Sequence, residues 1–188
     1  LDIHVRETVT PRLIEELTEG RLDTAIVALP VSEPSLTEVA LFTENFLLVR
    51  PGADAATPVP SSATLRNERL LLLEEGHCFR DQALSFCNMR SARPREVLDA
   101  SSLSTLVQMV SAGIGVTLIP EMAVGVETRS ASVALARFPD PQPARTVGMV
   151  WRRTSPLAAQ LRQIAEVVGA SAKTLLAQHA APGAASTG

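Results

Sequence analysis

The residues of this chain that are best suited to chemistry are its two cysteines, Cys78 and Cys87, which lie nine positions apart. Cys78 falls where a helix is predicted to begin, and the unpaired backbone N–H groups and positive dipole end of a helix N-terminus stabilise a thiolate. Arg80 adds positive charge nearby, and Asp81 occupies the position from which a capping-box side chain accepts hydrogen bonds. We therefore expect Cys78 to ionise more readily than an ordinary cysteine.

The spacing of the two cysteines predicts that they cannot meet while the helix is intact. A helix over about residues 79–88 would separate them by a rise of roughly 13 Å, whereas a disulfide requires Cα atoms within ~7 Å. Joining Cys78 to Cys87 would therefore require the helix to unwind. This behaviour fits a redox sensor in which a reactive thiol is oxidised to sulfenic acid and captured by a second thiol, giving a bridge that is easily reduced.

The residues alone leave a second interpretation open, in which both cysteines are inert. Free cysteine is among the most commonly buried residue types, and Cys87 lies between Phe86 and Met89 on an apolar face. His77 could tune Cys78 or be an ordinary turn histidine. His77 and the two cysteines lack the spacing and the fourth ligand of a zinc site, and no Walker, dinucleotide-binding or Ser-His-Asp motif is present, so neither a metal nor a cofactor is expected.

The composition excludes several classes of protein. Apolar residues make up 46% and charged residues 20% of the 188 residues, which is typical of a globular protein. With a net charge of −3 and a pI near 5.7, the chain is not expected to hold DNA by itself. The chain has neither a secreted disulfide framework nor a signal peptide, and no apolar run approaches the ~18 residues of a membrane span, so we expect a cytosolic protein or a piece of one.

The apolar periodicity of the first part of the chain predicts alternating strands and helices. Residues 1–5 alternate as in a half-buried strand, Thr10 is placed to cap a helix over 11–19, and residues 22–29 are typical of a strand buried on both faces. The strand–helix–strand order favours parallel pairing with a right-handed crossover. A longer strand is predicted over 39–49, with a bend or hairpin near its middle.

Two linker-like stretches, residues 51–62 and 139–144, flank a central block of the chain. We therefore expect the chain to leave one lobe, build a second and return, with a cleft between the lobes where a ligand site would lie. Beyond the first linker the pattern predicts strands at 70–73, 97–98, 116–119 and 146–151, the cysteine helix, a helix from 103 capped by Ser101 and Ser102, and a final helix over 156–176.

Several segments of the sequence resemble the effector-binding domain of LysR-type transcription regulators. GRLDTAIV at 20–27 and SLSTLVQMVSAGIGVTLIP at 102–120 are similar to parts of that domain, and GHCFRDQALSFC at 76–87 is similar to the redox segment of the family's hydrogen-peroxide sensors. LEEGHCFRDQ and RTVGMVWRRTSPL extend the similarity, which covers nearly all of residues 1–168 in matching order. One departure is that the family's usual histidine shortly before the SLSTL helix is replaced within Val97-Leu98-Asp99.

The resemblance implies an α/β, two-lobed, periplasmic-binding-protein-like (LysR effector-binding) fold that is incomplete at the N-terminus. Residues 1–52 and 144–180 would form regulatory lobe I without the family's first strand and helix, and residues 53–143 would form regulatory lobe II with the redox cysteines. Residues 181–188 would be a disordered tail, in keeping with their lack of apolar bulk. The family's winged helix-turn-helix DNA-binding domain is absent from the sequence.

The resemblance also implies the roles of individual residues. Cys78 would be the cysteine that reacts with peroxide, and Cys87 would be its resolving partner. The two would be redox-active in a stoichiometric switch. The domain would therefore not be an enzyme, and no residue is expected to be catalytic. The residues placed around the peroxide pocket are Thr10, His77, Arg80, Asp81 and Arg145.

The expected function is that of a redox-sensing regulatory domain of a transcription activator. The expected partners are hydrogen peroxide, a second copy of the chain in a homo-oligomer (dimer or tetramer), a thiol reductant such as glutaredoxin or thioredoxin, and DNA and RNA polymerase through the full-length protein only, with no membrane. Two alternatives remain: a LysR-type domain that binds a small organic-acid co-inducer and has redox-inert cysteines, and a thiol peroxidase that turns over with a reductant.

Overall fold

The structure is a computed structural model that describes residues 3–65, 67–75, 78–86 and 98–179. It contains a five-stranded sheet and a separate two-stranded sheet. The strands are β1 (Ala25–Leu29), β2 (Leu36–Pro51), β3 (Leu71–Leu73), β4 (Leu98–Ala100), β5 (Thr117–Pro120), β6 (Val133–Arg137) and β7 (Ala144–Arg152). The helices are α1 (Thr10–Thr18), α2 (Ser62–Leu65), α3 (Cys78–Phe86), α4 (Leu103–Ser111), α5 (Val124–Glu127) and α6 (Ala158–His179). The larger sheet has the order β1-β7-β2-β5 with β6 also paired to β2, and β3 and β4 form a separate parallel pair.

Strand β2 takes part in both halves of the larger sheet. Its residues up to Asn45 pair antiparallel with β7, and its residues from Phe46 pair antiparallel with β5 and β6. The predicted bend or hairpin near the middle of the strand is wrong, because Thr43 to Asn45 remain paired with β7 and the irregularity is a bulge between Ala40 and Phe42. Cross-strand hydrogen bonds therefore outweigh the turn preference of these residues.

The apolar core consists of separate clusters along β2. One is built only from residues between 46 and 138 and includes β3, β5 and α4. Two others combine residues from both ends of the chain: Leu17 of α1 packs with β1 and β7, and Trp151 packs with α6 and β2. The lobe boundaries at 52/53 and 143/144 stay predictions. None of the helices in the described ranges is both long enough and apolar enough to cross a bilayer.

The start of the chain differs from the expectation. Residues 3–9 form no strand, and Ile3 and Val5 are 69% and 90% exposed. A strand needs a hydrogen-bonded neighbour, and within the described residues β1 pairs only with β7, antiparallel, so the predicted parallel crossover is wrong there. The next strand begins at Ala25 rather than at 22, and its Ile26 is 53% exposed, so it is not buried on both faces.

The first helix is confirmed, but its cap is not. Val9 is the N-cap residue and makes no side-chain capping bond, and Thr10 is already the first residue of α1, followed by Pro11. Proline is tolerated in the first turn because a backbone N–H there would have no intrahelical acceptor, and its fixed φ favours the helical conformation. Gly20 follows the helix with φ +82°, a left-handed conformation that glycine adopts readily at a helix C-terminus.

The second half of the chain follows the prediction more closely. Strand β3 is fully buried, α3 begins at Cys78, and the Ser102 side chain accepts from the Thr105 N–H at the start of α4. Strand β6, helix α5 and the 3-10 turn Glu121–Ala123 were not predicted, because these elements are too short to show periodicity.

Candidate functional site

Helix α3 presents the segment that the sequence singles out for redox chemistry. It begins at Cys78 directly beyond β3 and carries Asp81 in its first turn, where the helix dipole favours a carboxylate. Glu74 and Glu75, between β3 and α3, are exposed. His77, Cys87 and the side chain of Cys78 lie outside the described residues.

Arg80 ties the first turn of α3 to the parallel strand pair. Its Nη1 group donates to the Leu73 carbonyl oxygen at the end of β3 (2.8 Å) and to Asp99 Oδ1 on β4 (2.5 Å). The Arg80 side chain is 15% exposed and that of Asp99 41%. The positive charge that the sequence placed near Cys78 is therefore shared with a carboxylate, and Arg80 holds the start of the helix in position.

Three cavities share Ala28 of β1 in their lining, and each is also lined by α1, by α3 or by both. The first, of about 370 Å³, is lined by Thr10 and Arg145 together with residues of β1, β3, α4 and β5. The second, of about 350 Å³, is lined by Thr10, Glu33 and Asp81 among others. The third, of about 500 Å³, lies between Asp81 and its neighbours on α3 and the ends of β1 and β7. The structure thus brings together three of the predicted pocket residues, Thr10, Asp81 and Arg145, around cavities that share lining residues.

Arg145 is held by a carboxylate that the sequence analysis did not identify. Its Nε and Nη2 groups donate to Glu44 Oε1 at 2.8 and 2.7 Å, and the backbone N–H of Met122 donates to Glu44 Oε2 at 3.0 Å. The Glu44 side chain has no exposed surface, and that of Arg145 is 19% exposed. The sequence does contain a signal for this contact, because Glu44 lies inside a long apolar strand. A carboxylate buried there requires hydrogen-bonded, positively charged partners.

Two further carboxylates near the cavities are stabilised in their ionised form. Burial raises the pKa of Glu16, but hydrogen bonds from Arg12 and Arg6 outweigh burial and hold that pKa below its ordinary value. The backbone N–H and the hydroxyl of Ser35 donate to Glu33 and lower its pKa. Arg6 also lines the first cavity, so the Glu16 pair fastens the N-terminal segment to the cavity wall.

The comparisons with known proteins agree on one family. The sequence model described as the LysR substrate binding domain matches residues 1–173. The chain is 44% identical over 170 residues to a probable hydrogen peroxide-inducible genes activator of Streptomyces viridosporus, covering 88% of this chain and 54% of the relative. It is 40% identical over 174 residues to the DNA-binding transcriptional dual regulator OxyR of Escherichia coli (strain K12), covering 90% and 56%. The chain therefore spans about half the length of these curated relatives.

Solved structures give the same assignment. A cysteine-to-serine mutant of Corynebacterium glutamicum OxyR with bound hydrogen peroxide superposes with a TM-score of 0.87 at 32% identity, over 96% of this chain and 58% of that one. The reduced OxyR regulatory domain of Pseudomonas aeruginosa superposes with a TM-score of 0.77 at 33% identity, over 89% and 80%.

Proposed function

Because the chain belongs to the LysR substrate-binding domain family, we propose that it is the redox-sensing regulatory domain of a LysR-type transcription regulator that responds to hydrogen peroxide in the cytosol. The observation that carries this proposal is that α3 begins at Cys78 and presents Asp81 to a cavity that Thr10 also lines. The relatives named above as peroxide-inducible activators support the same assignment.

The proposed chemistry is a two-electron oxidation of two thiols. The Cys78 thiolate attacks one peroxide oxygen, so that an S–O bond forms, the O–O bond breaks, and the departing hydroxide takes up a proton to become water. The Cys87 thiol, on losing its proton, then attacks the sulfenic acid, the S–S bond forms, and a second water leaves. A dithiol reductant of the glutaredoxin or thioredoxin class returns both thiols by exchange.

The residues around the cavities act on the first of these steps. In our proposal the Thr10 hydroxyl and the Asp81 carboxylate hydrogen-bond the peroxide, and the Arg145 guanidinium stabilises negative charge on the departing oxygen. Preorganised donors of this kind are effective because they need no rearrangement at the moment of reaction. The predicted role of His77 at this pocket stays a prediction, and in our proposal Arg80 holds the start of α3.

The disulfide would change the conformation of the domain because α3 must unwind to form it. Ala83 of α3 is fully buried in the core cluster, and the Phe86 ring packs edge-to-face on Phe138 with the ring centroids 5.0 Å apart. Unwinding withdraws these contacts from the core. In the full-length protein, a homo-oligomer, this rearrangement would alter DNA binding and the response of RNA polymerase. One peroxide is consumed for each switching event, so the domain is a stoichiometric sensor and not an enzyme.

The experiment uses the full-length regulator and three forms of it: wild type, Cys78→Ser and Cys87→Ser. Peroxide should produce a Cys78–Cys87 disulfide in wild type, no response in Cys78→Ser, and a trapped or over-oxidised Cys78 in Cys87→Ser, all measured by mass spectrometry alongside transcription from a target promoter. A normal transcriptional response in Cys78→Ser would rule the mechanism out.

A second function is favoured by the size of the cavities. Volumes of about 350 to 500 Å³ exceed what a peroxide molecule needs and fall in the range of small-molecule sites. An arginine at one cavity suits a small organic acid, the co-inducer alternative with inert cysteines. Ordinary Cys78 reactivity in a thiol titration, together with tight binding of an organic anion by calorimetry, would select this alternative.

A further inference from the structure

We propose that Glu44 is a positioning residue for the peroxide step, which it serves by holding the Arg145 guanidinium at the wall of the cavity. The proposal rests on the function given above, since it assigns to Glu44 a role in the reaction of Cys78. Glu44 itself is not among the residues that line the three cavities described, so it acts through Arg145.

The hydrogen bonds of Glu44 show how this restraint works. Both Nε and Nη2 of Arg145 donate to the same oxygen, Oε1, which fixes the guanidinium along one edge. The other oxygen, Oε2, accepts from the Met122 N–H. The carboxylate is therefore held from two sides, and because it is buried it cannot exchange these donors for water.

The place of Glu44 in the fold explains why it is suited to this role. Glu44 and Arg145 are directly opposite each other on β2 and β7, one residue pair before that ladder ends. From Phe46 onward β2 pairs with β5, and Met122 lies in the 3-10 turn that follows β5. The Glu44 carboxylate thus joins β7 to the segment after β5 at the point where β2 passes from one partner strand to the next.

The chemical reason for the restraint is the charge that develops on the departing peroxide oxygen. An arginine side chain has several rotatable bonds, and a guanidinium that must first be ordered contributes less to the transition state than one already in place. A purely structural role for Glu44 would affect every reaction of Cys78 alike. A positioning role predicts a selective loss of the reaction with peroxide.

The test compares two reagents that attack the same thiol in the full-length regulator. Hydrogen peroxide requires cleavage of an O–O bond, whereas iodoacetamide reports only the ionisation and accessibility of Cys78. Glu44→Ala should lower the rate constant for peroxide roughly 10-fold to 100-fold and change the iodoacetamide rate by less than about 2-fold. Glu44→Gln should lie between wild type and Glu44→Ala, because its amide has one acceptor oxygen for two sets of donors.

A matched control and a double variant complete the experiment. Glu121→Gln removes the charge of a neighbouring carboxylate that pairs with Arg137, and it should leave both rates unchanged. Glu44→Ala combined with Arg145→Ala should be no slower than Arg145→Ala alone, because Glu44 acts through that arginine. If Glu44→Ala does not fold, Glu44→Gln carries the same comparison.

The outcomes separate this proposal from the proposed function. Parallel losses of both rates in the Glu44 variants, or additive losses in the double variant, would overturn the role of Glu44 and leave the sensor function standing. A wild-type Cys78 that reacts with peroxide no faster than free cysteine would overturn both.

Discussion

Arg80 and Asp99 form an ion pair that joins the first turn of α3 to strand β4, with 2.5 Å between Nη1 and Oδ1. The same Nη1 group donates to the carbonyl oxygen of Leu73. The helix that would have to unwind for Cys78 to reach Cys87 is therefore fastened at its beginning to both strands of the parallel pair. The strength of this attachment enters the balance between the reduced and the oxidised forms.

Replacing Asp99 by Asn should make the disulfide easier to form. A partly exposed ion pair contributes about 0.5 to 1 kcal/mol, so the equilibrium should shift toward the disulfide by roughly 2-fold to 5-fold. The measurement is the fraction of disulfide in full-length protein equilibrated with glutathione buffers of graded ratio. Arg137→Gln, which breaks the ion pair with Glu121, is the control and should not move the midpoint. A midpoint unchanged in Asp99→Asn would show that the pair does not restrain α3.

Replacing Thr10 by Val should slow the reaction with peroxide without weakening α1. Val9 is the N-cap residue of α1 and Thr10 lines a cavity, so in our proposal the Thr10 hydroxyl binds peroxide rather than capping the helix. Losing one hydrogen bond to the reacting peroxide should cost about 10-fold in rate. Stopped-flow oxidation and thermal unfolding measure the two effects separately, and Thr10→Ser should retain most of the rate. A fall in melting temperature with no change in rate would assign Thr10 to the helix.

Replacing Glu16 by Gln should remove an acid-dependent part of the stability. The pKa of Glu16 in the folded protein lies below the ordinary value of 4.5, so the ionised form stabilises the fold above that pH and the contribution is lost as pH falls through the lower folded value. Urea unfolding at pH 7 should therefore show Glu16→Gln less stable than wild type, and the difference should shrink below about pH 4. A difference that stays constant over this range would exclude the ionised pair with Arg6 and Arg12 as its cause.

Two glycines before β5 should respond differently to alanine. A Cβ at Gly115 would lie 2.3 Å from the backbone oxygen of Arg69, which accepts from Val116 and cannot move away without breaking that bond. Gly115→Ala should therefore lower the free energy of unfolding by about 2 to 3 kcal/mol. Gly113 has open space around it but φ +76°, so Gly113→Ala should cost about 1 kcal/mol. Equal effects by urea titration would contradict the steric explanation for Gly115.

The sequence was sufficient for features that depend on local signals. The start of α3 at Cys78 and the Ser102 cap follow from capping and turn chemistry. The antiparallel pairing of β1 with β7 and the contact between Glu44 and Arg145 join residues more than 100 positions apart, and no local pattern encodes such partners. Residues 1–5 alternate as a strand does, yet residues 3–9 form none, because alternation predicts which side chains share a face and does not supply a hydrogen-bonded neighbouring strand.

The uninterrupted course of β2 limits how the domain can move. Apart from the bulge between Ala40 and Phe42, its residues are paired with other strands on both sides of Asn45, so we expect it to connect the core clusters rigidly rather than to act as a hinge between them. We therefore expect unwinding of α3 to change the conformation of the segments around that helix and to leave the larger sheet unchanged. We expect the signal of oxidation to be a changed patch of surface near α3, which a neighbouring subunit would sense, and not a wide opening of the cleft.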